Sequence, residues 1–92
     1  MSALVSIITP TYNSAKYIAE TILSVQNQTY STWEMIIIDD GSFDETENII
    51  KSISEHDKRI QFIKLNQNSG PAIARNIGIE KAQGDYMTFL DA

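Results

Sequence analysis

Four short apolar runs, each followed by polar residues, constrain the fold of this chain more than any other feature. They occupy residues 4–9, 35–38, 60–65 and 86–90, and the first is rich in β-branched residues. Gln61 and Lys64 interrupt the third run, which suggests a position nearer a sheet edge. Runs of this length predict strands that are buried on both faces, as in a parallel sheet. Segments of helix length separate the runs, so we expect parallel strands joined by helical crossovers.

The three connecting segments carry helix signals. Residues 18–25 and residues 49–53 each show an apolar stripe at helical spacing. Residues 71–82 begin with a proline, which suits the first position of a helix. The β-α-β-α-β-α-β order predicts an α/β protein: a Rossmann-like, three-layer domain over residues 1–92 with a four-stranded, mainly parallel sheet.

Particular residues predict where these elements begin and end. We expect Pro10 to end the first strand, and Asn13 or Ser14 to cap the first helix. Ser42 and Glu45 have the spacing of a capping box, which predicts the start of the second helix.

Composition excludes several classes of protein. The net charge of −5 argues against a nucleic-acid-binding module, whose binding face is usually basic. The chain has no cysteine, so neither a disulfide framework nor a cysteine-based zinc site is available. Its apolar runs are too short to span a bilayer, and we expect a cytoplasmic location.

The residues that follow each predicted strand are the candidates for chemistry, because open parallel sheets bind ligands at the carboxyl ends of their strands. Residues 10–13 follow the first strand, Asp39 and Asp40 the second, residues 66–70 the third, and Asp91 the fourth. All four strand ends therefore carry polar or conformationally special residues.

Each of these positions has a structural and a functional interpretation. Asp39 and Asp40 suit a turn, but two adjacent carboxylates repel each other unless a base N–H, a cation or an arginine offsets the charge. Tyr12 could pack on the first helix or stack on a planar base. Arg75 could be a surface residue, or could bind pyrophosphate beside a helix N-terminus. Neither G-x-G-x-x-G nor a P-loop is present, which disfavours dinucleotide oxidoreductases and P-loop NTPases.

Four motifs in order carry a resemblance to a known family. They are P-T-Y-N at residues 10–13, I-D-D-G-S at 38–42, N-S-G-P-A-I-A-R-N-I-G at 68–78 and F-L-D-A at 89–92. Any one of them is a weak signal, but together they are specific. Over essentially all of its length, the chain resembles the N-terminal nucleotide-binding half of inverting family-two glycosyltransferases with the GT-A fold.

The resemblance implies that the chain binds a nucleoside diphosphate sugar, most often a UDP-sugar. One or both of Asp39 and Asp40 would hold the base, with Asp40 favoured as the acceptor for uracil N3–H. The donor-binding residues after the first strand would be Pro10, Thr11, Tyr12 and Asn13.

The same resemblance implies how the diphosphate is held. Gly70 and Arg75 would lie near the base and the phosphates. Asp91 would be the first carboxylate of an Asp-x-Asp motif that binds ribose and a divalent cation, Mn²⁺ or Mg²⁺. That cation would bridge the diphosphate and help the leaving group depart.

Family members usually continue beyond Asp91 with the second metal-binding Asp, the acceptor-binding region and the general base. We therefore interpret the chain as a fragment whose acceptor half is missing, and expect it to be inactive on its own. The full-length protein would use a glycan or a lipid-linked acceptor, peripherally at the inner face of the membrane. The fourth strand, interior in the full fold, would form an exposed apolar edge here and favour a homo-oligomer.

Three other readings remain open at this stage. The chain could be a UDP-binding module without catalysis, or a purely structural α/β domain. A receiver-like phosphotransfer domain also combines paired acidic residues with this architecture, but it needs a lysine at a late strand end. Lys64 lies inside a predicted strand and Lys81 inside a predicted helix.

Overall fold

The structure, a computed structural model, describes residues 2–91 and has the predicted alternation of strands and helices. The strands are short and the helices have two to three turns, in keeping with the length of the chain. In chain order the elements are β1 (Val5–Thr11), α1 (Ile18–Gln26), β2 (Trp33–Asp39), α2 (Thr46–Ser54), β3 (Ile60–Lys64), α3 (Pro71–Lys81) and β4 (Tyr86–Phe89).

The four strands form one parallel sheet in the order β3-β2-β1-β4. From β1 the chain therefore proceeds outward through β2 to β3, and α3 then carries it back across β2 and β1 to β4. The direction of winding reverses between β1 and β4. At such a switch point the loops diverge and leave a crevice at the carboxyl ends of the strands.

Helices cover both faces of the sheet. On one face α1 and α2 bury Ile22 and Ile50 against β1, β2 and β3. On the other face α3 packs against Ile8 and Ile38. Gly78 permits this close approach, since a Cβ there would lie 2.5 Å from Ile8 Cγ2 and 2.8 Å from Ile38 Cδ1. The α/β fold class expected from the sequence is confirmed.

The first strand does not end at Pro10 as expected, but continues to Thr11. The carbonyl of Ile8 accepts from Leu90 on the β4 side, whereas that of Thr11 accepts from Asp40 on the β2 side. Since backbone groups alternate in direction along a strand, Pro10 faces the β4 side. The pairing with β4 ends at Ile8 and Phe89. The missing N–H of Pro10 therefore interrupts no ladder.

The capping box predicted for α2 is wrong. The helix begins at Thr46, and the Asp44 carboxylate accepts a hydrogen bond from its N–H at 3.0 Å. Hydrogen bonds from Thr46 lower the pKa of Asp44. The Ser42 hydroxyl instead accepts from the N–H of Asn13, 2.8 Å away.

The predicted side-chain cap of α1 is also wrong. The helix begins at Ile18, and its N–H donates to the backbone carbonyl of Ser14 at 2.8 Å rather than to a side chain. The side chains of Asn13 and Ser14 hydrogen bond to other loop and strand-end residues instead.

The fourth strand lies at a sheet edge and is exposed, not buried as its apolar run suggests. Tyr86 is 65% exposed, and Met87 and Phe89 are about half exposed. Within residues 2–91 all four residues of β4 are exposed, whereas the helices bury residues of β1, β2 and β3. None of the helices described is both long and apolar enough to cross a membrane.

Candidate functional site

A cleft of about 290 Å³ opens at the carboxyl ends of the strands, beside the switch point between β1 and β4. It joins residues from all four strand ends and from the start of α3. The lining residues are Pro10, Thr11, Tyr12, Asp40, Asn68, Pro71 and Asp91. The structure thus brings the predicted Pro10, Thr11, Tyr12, Asp40 and Asp91 together, although they are far apart in sequence.

Asp40 is the most constrained acidic group of the cleft. It is 4% exposed, and its two carboxylate oxygens accept hydrogen bonds from the N–H groups of Ser69, at 2.7 Å, and Gly70, at 2.9 Å. These bonds fix the carboxylate and the loop before α3 against each other. Each carboxylate oxygen has two lone pairs, so acceptor capacity remains for a ligand in the cleft.

Asp39, although adjacent in sequence, does not line the cleft. Successive side chains along a strand point to opposite faces of the sheet, and the Asp39 side chain is fully buried. One of its carboxylate oxygens accepts from the Ser42 N–H at 3.1 Å. The other has no hydrogen-bond partner among residues 2–91. Asp39 therefore braces the turn after β2.

Tyr12 and Thr11 form the β1 side of the cleft. The Tyr12 ring is 44% exposed and lies near the Phe43 ring, with centroids 6.2 Å apart and planes at 79°. The Thr11 hydroxyl is buried and hydrogen bonded to the hydroxyl of Ser14. The aromatic ring is thus the larger accessible surface that this strand end offers to a ligand.

Asn13 links two loops and is not part of the cleft lining. Its backbone has φ = 48°, in the left-handed region that asparagine tolerates better than most residues. Its N–H donates to the Ser42 hydroxyl at 2.8 Å, and its side-chain oxygen accepts from the Phe43 N–H at 3.0 Å. Asn13 therefore links the connection after β1 to the connection after β2 through both its backbone N–H and its side chain.

Gly41 allows the turn after β2 to touch the loop before α3. Its φ is 79°, and a Cβ would lie 2.8 Å from Asn68 N and 2.9 Å from Gln67 C. Any side chain here would displace the loop that carries Asn68, a residue of the cleft. Gly70, by contrast, contributes its N–H to Asp40 and has open space around it.

Arg75 and Asp91 face each other at the cleft, 3.8 Å apart. The Asp91 side chain is 73% exposed and that of Arg75 36% exposed, so the pair contributes about 1 kcal/mol or less to stability. Both groups remain accessible to a charged ligand. In the described part of the chain no group of three or more potential ligands could hold a metal unaided.

Asn68 lies within residues 66–70, which the sequence offered as candidates, but neither Asn68 nor Pro71 was singled out as a binding residue. Both belong to or follow the third strand-end loop, and that position was the available signal. Phe43 was also missed, because an isolated aromatic residue in a loop has no pattern that distinguishes it.

Comparison with known proteins places these features in a family. The sequence model described as Glycosyl transferase family 2 matches residues 6–92. The chain is 49% identical over 89 residues to the putative teichuronic acid biosynthesis glycosyltransferase TuaG of Bacillus subtilis (strain 168), covering 97% of this chain and 35% of that protein. The chain spans about a third or less of the length of the curated relatives it matches.

Two solved structures share the fold. The S. aureus protein TarS in complex with UDP-GlcNAc matches with a TM-score of 0.87 and 35% identity, over 95% of this chain and 26% of that one. The mannosyltransferase PcManGT from Pyrobaculum calidifontis, in complex with GDP-Man and Mn²⁺, matches with a TM-score of 0.90 and 25% identity, over 99% and 28% respectively.

Proposed function

The chain belongs to glycosyltransferase family 2, and we propose that residues 2–91 form the part of such an enzyme that binds a nucleoside diphosphate sugar donor. The observation that carries this proposal is the cleft at the switch point. It combines an accessible aromatic ring, Tyr12, with a fixed acceptor, Asp40, and an exposed carboxylate, Asp91. The ring can stack on a planar base, the fixed carboxylate can accept from the N–H of that base, and the exposed carboxylate can hold a cation beside the diphosphate.

The base would lie against Tyr12 and hydrogen bond to Asp40. An aromatic ring offers a face for stacking, and a carboxylate can accept from the N–H of uracil. We favour UDP, since S. aureus TarS binds UDP-GlcNAc at 35% identity to this chain. PcManGT, which binds GDP-Man, makes GDP the competitor to be tested.

The diphosphate would lie beside Arg75 and Asp91 and would replace the contact between their side chains. The guanidinium can pair with phosphate oxygens, and Asp91 can supply one oxygen ligand to Mg²⁺ or Mn²⁺. Such cations are commonly held by one or two carboxylates together with substrate phosphates, so a single exposed carboxylate beside the diphosphate fits this role. When bound, the cation neutralises charge that develops on the departing diphosphate.

We assign no catalytic base to the described residues. Asp40 accepts hydrogen bonds from the loop before α3 and, in this proposal, from the uracil ring. Asp91, at the edge of the cleft, would bind the cation. We expect the chain alone to bind the donor without transferring its sugar. In the whole protein, transfer to an acceptor hydroxyl would proceed with inversion, because a base would activate that hydroxyl opposite the departing diphosphate.

The biological role that we infer is glycan biosynthesis. The B. subtilis relative is named for teichuronic acid biosynthesis, and a glycan or a lipid-linked acceptor would suit such a pathway. We infer that the full-length protein works in the cytoplasm, peripherally at the inner face of the membrane.

Self-association through β4 is a separate part of the proposal. The strand lies at a sheet edge with exposed apolar side chains, including Tyr86 and Phe89. Unpaired backbone groups at such an edge can pair with a second copy. Sedimentation at increasing concentration should show a dimer or larger species, and a monomer throughout would contradict it.

The test of donor binding is a titration of the ¹⁵N-labelled chain with UDP and with GDP, in the presence and absence of Mg²⁺. We expect UDP to shift the amide signals of Tyr12, Asp40 and Ser69, with a dependence on Mg²⁺ that Asp91→Asn removes. Uridine, which lacks the diphosphate, should show no Mg²⁺ dependence. A well-dispersed spectrum that responds to neither nucleotide would contradict the proposal.

A parallel titration with beryllofluoride, a mimic of a phosphoryl group, and Mg²⁺ tests the receiver-like alternative. The structure gives that alternative little support: the Lys64 ammonium pairs with the carboxylate of Glu47, and this hydrogen bond raises the pKa of Lys64. Lys64 therefore has a structural partner on α2. A response to beryllofluoride but not to UDP would favour phosphotransfer.

A further inference from the structure

Phe43 lies beside the cleft residue Tyr12 but does not line the cleft itself. It lies between β2 and α2, is 82% exposed, and its ring is nearly perpendicular to that of Tyr12, with centroids 6.2 Å apart. Near-perpendicular aromatic pairs are more favourable than the area they bury would suggest. The Phe43 ring therefore stabilises the orientation of Tyr12, whose ring is the aromatic surface of the cleft.

Tyr12 needs such a contact because the core does not enclose it. The residue follows the end of β1 and is 44% exposed. Side chains with this exposure change rotamer on the picosecond to nanosecond timescale unless neighbours restrict them. A ring that must accept a stacked base loses affinity whenever it populates other orientations.

The backbone of Phe43 is held by hydrogen bonds to the loop after β1. Its N–H donates to the side-chain oxygen of Asn13 at 3.0 Å, and the Asn13 N–H donates to the Ser42 hydroxyl at 2.8 Å. Asn13 directly follows Tyr12, and Ser42 directly precedes Phe43. These two hydrogen bonds therefore join the segments that carry the two rings.

We propose that Phe43 is a positioning residue of the nucleotide site: its ring holds Tyr12 in the orientation in which Tyr12 faces the cleft. The inference rests on the proposed function, since that function assigns the base of a nucleoside diphosphate to Tyr12. Because Phe43 is 82% exposed, it contributes little to the core, and its removal should leave the fold intact.

The experiment compares UDP binding by Phe43→Ala and Phe43→Tyr with that of the unmodified chain, by calorimetry in the presence of Mg²⁺. Phe43→Ala should weaken binding roughly 2- to 10-fold, the range expected for one aromatic pair. Phe43→Tyr keeps the aromatic ring and should restore the affinity. Leu23→Ala, which truncates a 53% exposed side chain on α1, is the matched control and should bind as the unmodified chain does.

A second readout needs no ligand. The ring protons of Tyr12 should show a nuclear Overhauser contact to Phe43, and their chemical shifts should move in Phe43→Ala because the neighbouring ring current is lost. Unchanged Tyr12 shifts, or unchanged UDP affinity in Phe43→Ala, would overturn the inference alone. Failure of the unmodified chain to bind UDP would overturn the proposed function, and the inference with it.

Discussion

Two buried carboxylates on one face of the sheet, Asp40 and Glu34, perform the same structural task at opposite ends of β2. Asp40 accepts from the N–H groups of Ser69 and Gly70, just before α3. Glu34 accepts from the N–H of Gln83, just after α3, at 2.7 Å. The two are 4% and 6% exposed. The strand therefore holds both ends of the same helix through side chains of one chemical type.

The difference lies in what else each carboxylate binds. Glu34 also accepts from the Ser6 hydroxyl at 2.6 Å and from the Gln61 side-chain amide at 3.0 Å. Glu34 thus has three donors from the protein and does not line the cleft. Asp40 has two backbone donors and lines the cleft, so part of its acceptor capacity is left for a ligand. Burial of a carboxylate does not identify a site; unsatisfied acceptor capacity beside a cleft does.

A glycine lies near each end of α3, and substituting these two glycines should give the largest effects among the tests of this comparison. Gly41 meets the loop before α3, and Gly84 meets β1, where a Cβ would lie 2.5 Å from Ser6 Oγ. Alanine at either position should lower the free energy of unfolding by about 2–3 kcal/mol, because the backbone must shift. Chemical denaturation measures this effect.

Only Gly41→Ala should also weaken UDP binding strongly, because it displaces the loop that carries Asn68. Gly84→Ala, at the other end, serves as its control. Equal losses of UDP affinity in both variants would mean that the two ends are not functionally distinct.

The substitution Asp40→Asn should weaken UDP binding by about 10- to 100-fold. An amide nitrogen in place of a carboxylate oxygen removes an acceptor for the N–H of uracil, and an unmade hydrogen bond in a buried site costs about 1–3 kcal/mol. Calorimetric titration with UDP measures the change. Affinity equal to that of the unmodified chain would show that Asp40 is purely structural, like Glu34.

The corresponding substitution Glu34→Gln should act on stability alone. It places an amide group against the donors from Ser6 and Gln83, and should lower the free energy of unfolding by about 1–2 kcal/mol. UDP affinity, measured well below the unfolding midpoint, should stay within about 2-fold of the original. A larger loss would show that the two ends of α3 are coupled.

The smallest expected effect is on acid stability, far from the cleft. Arg59 hydrogen bonds to Asp57 and lowers the pKa of that carboxyl from its ordinary 3.8 to about 2. Because the folded pKa is the lower one, the stabilisation is present above about pH 4 and is lost as the pH falls towards 2. Asp57→Asn should reduce this part of the acid dependence, worth about 1 kcal/mol or less, in denaturation at pH 2–5.

The elements and their order could be predicted from hydrophobic pattern, because strands and helices of this size are specified by local periodicity. The stripe of Ile18, Ile22 and Val25 is buried as expected. The alternation of side chains along β2 also implies that Asp39 and Asp40 point to opposite faces. Which of them meets the cleft depends on where α3 packs, and local pattern does not specify that.

The details that sequence reasoning missed depend on long-range contacts. Ser42 satisfies every local rule for a helix cap, yet its hydroxyl accepts from Asn13 in another loop. A proline often ends a strand, but Pro10 lies beyond the last residue of β1 that pairs with β4. Phe43 matters only through its contact with Tyr12. Each case is decided by a partner distant in sequence.

The order of the strands has a consequence for the time at which the cleft forms during synthesis. Tyr12 leaves the ribosome early, whereas Asp91 follows β4, the strand that is synthesised after β1, β2 and β3. Domain elements emerge at about 5–20 residues per second, so β1, β2 and β3 can associate before either β4 or Asp91 is available. Under the proposed function, a nucleotide would therefore stabilise residues 2–91 only after they have folded, and could not use the complete cleft to guide the pairing of β1, β2 and β3.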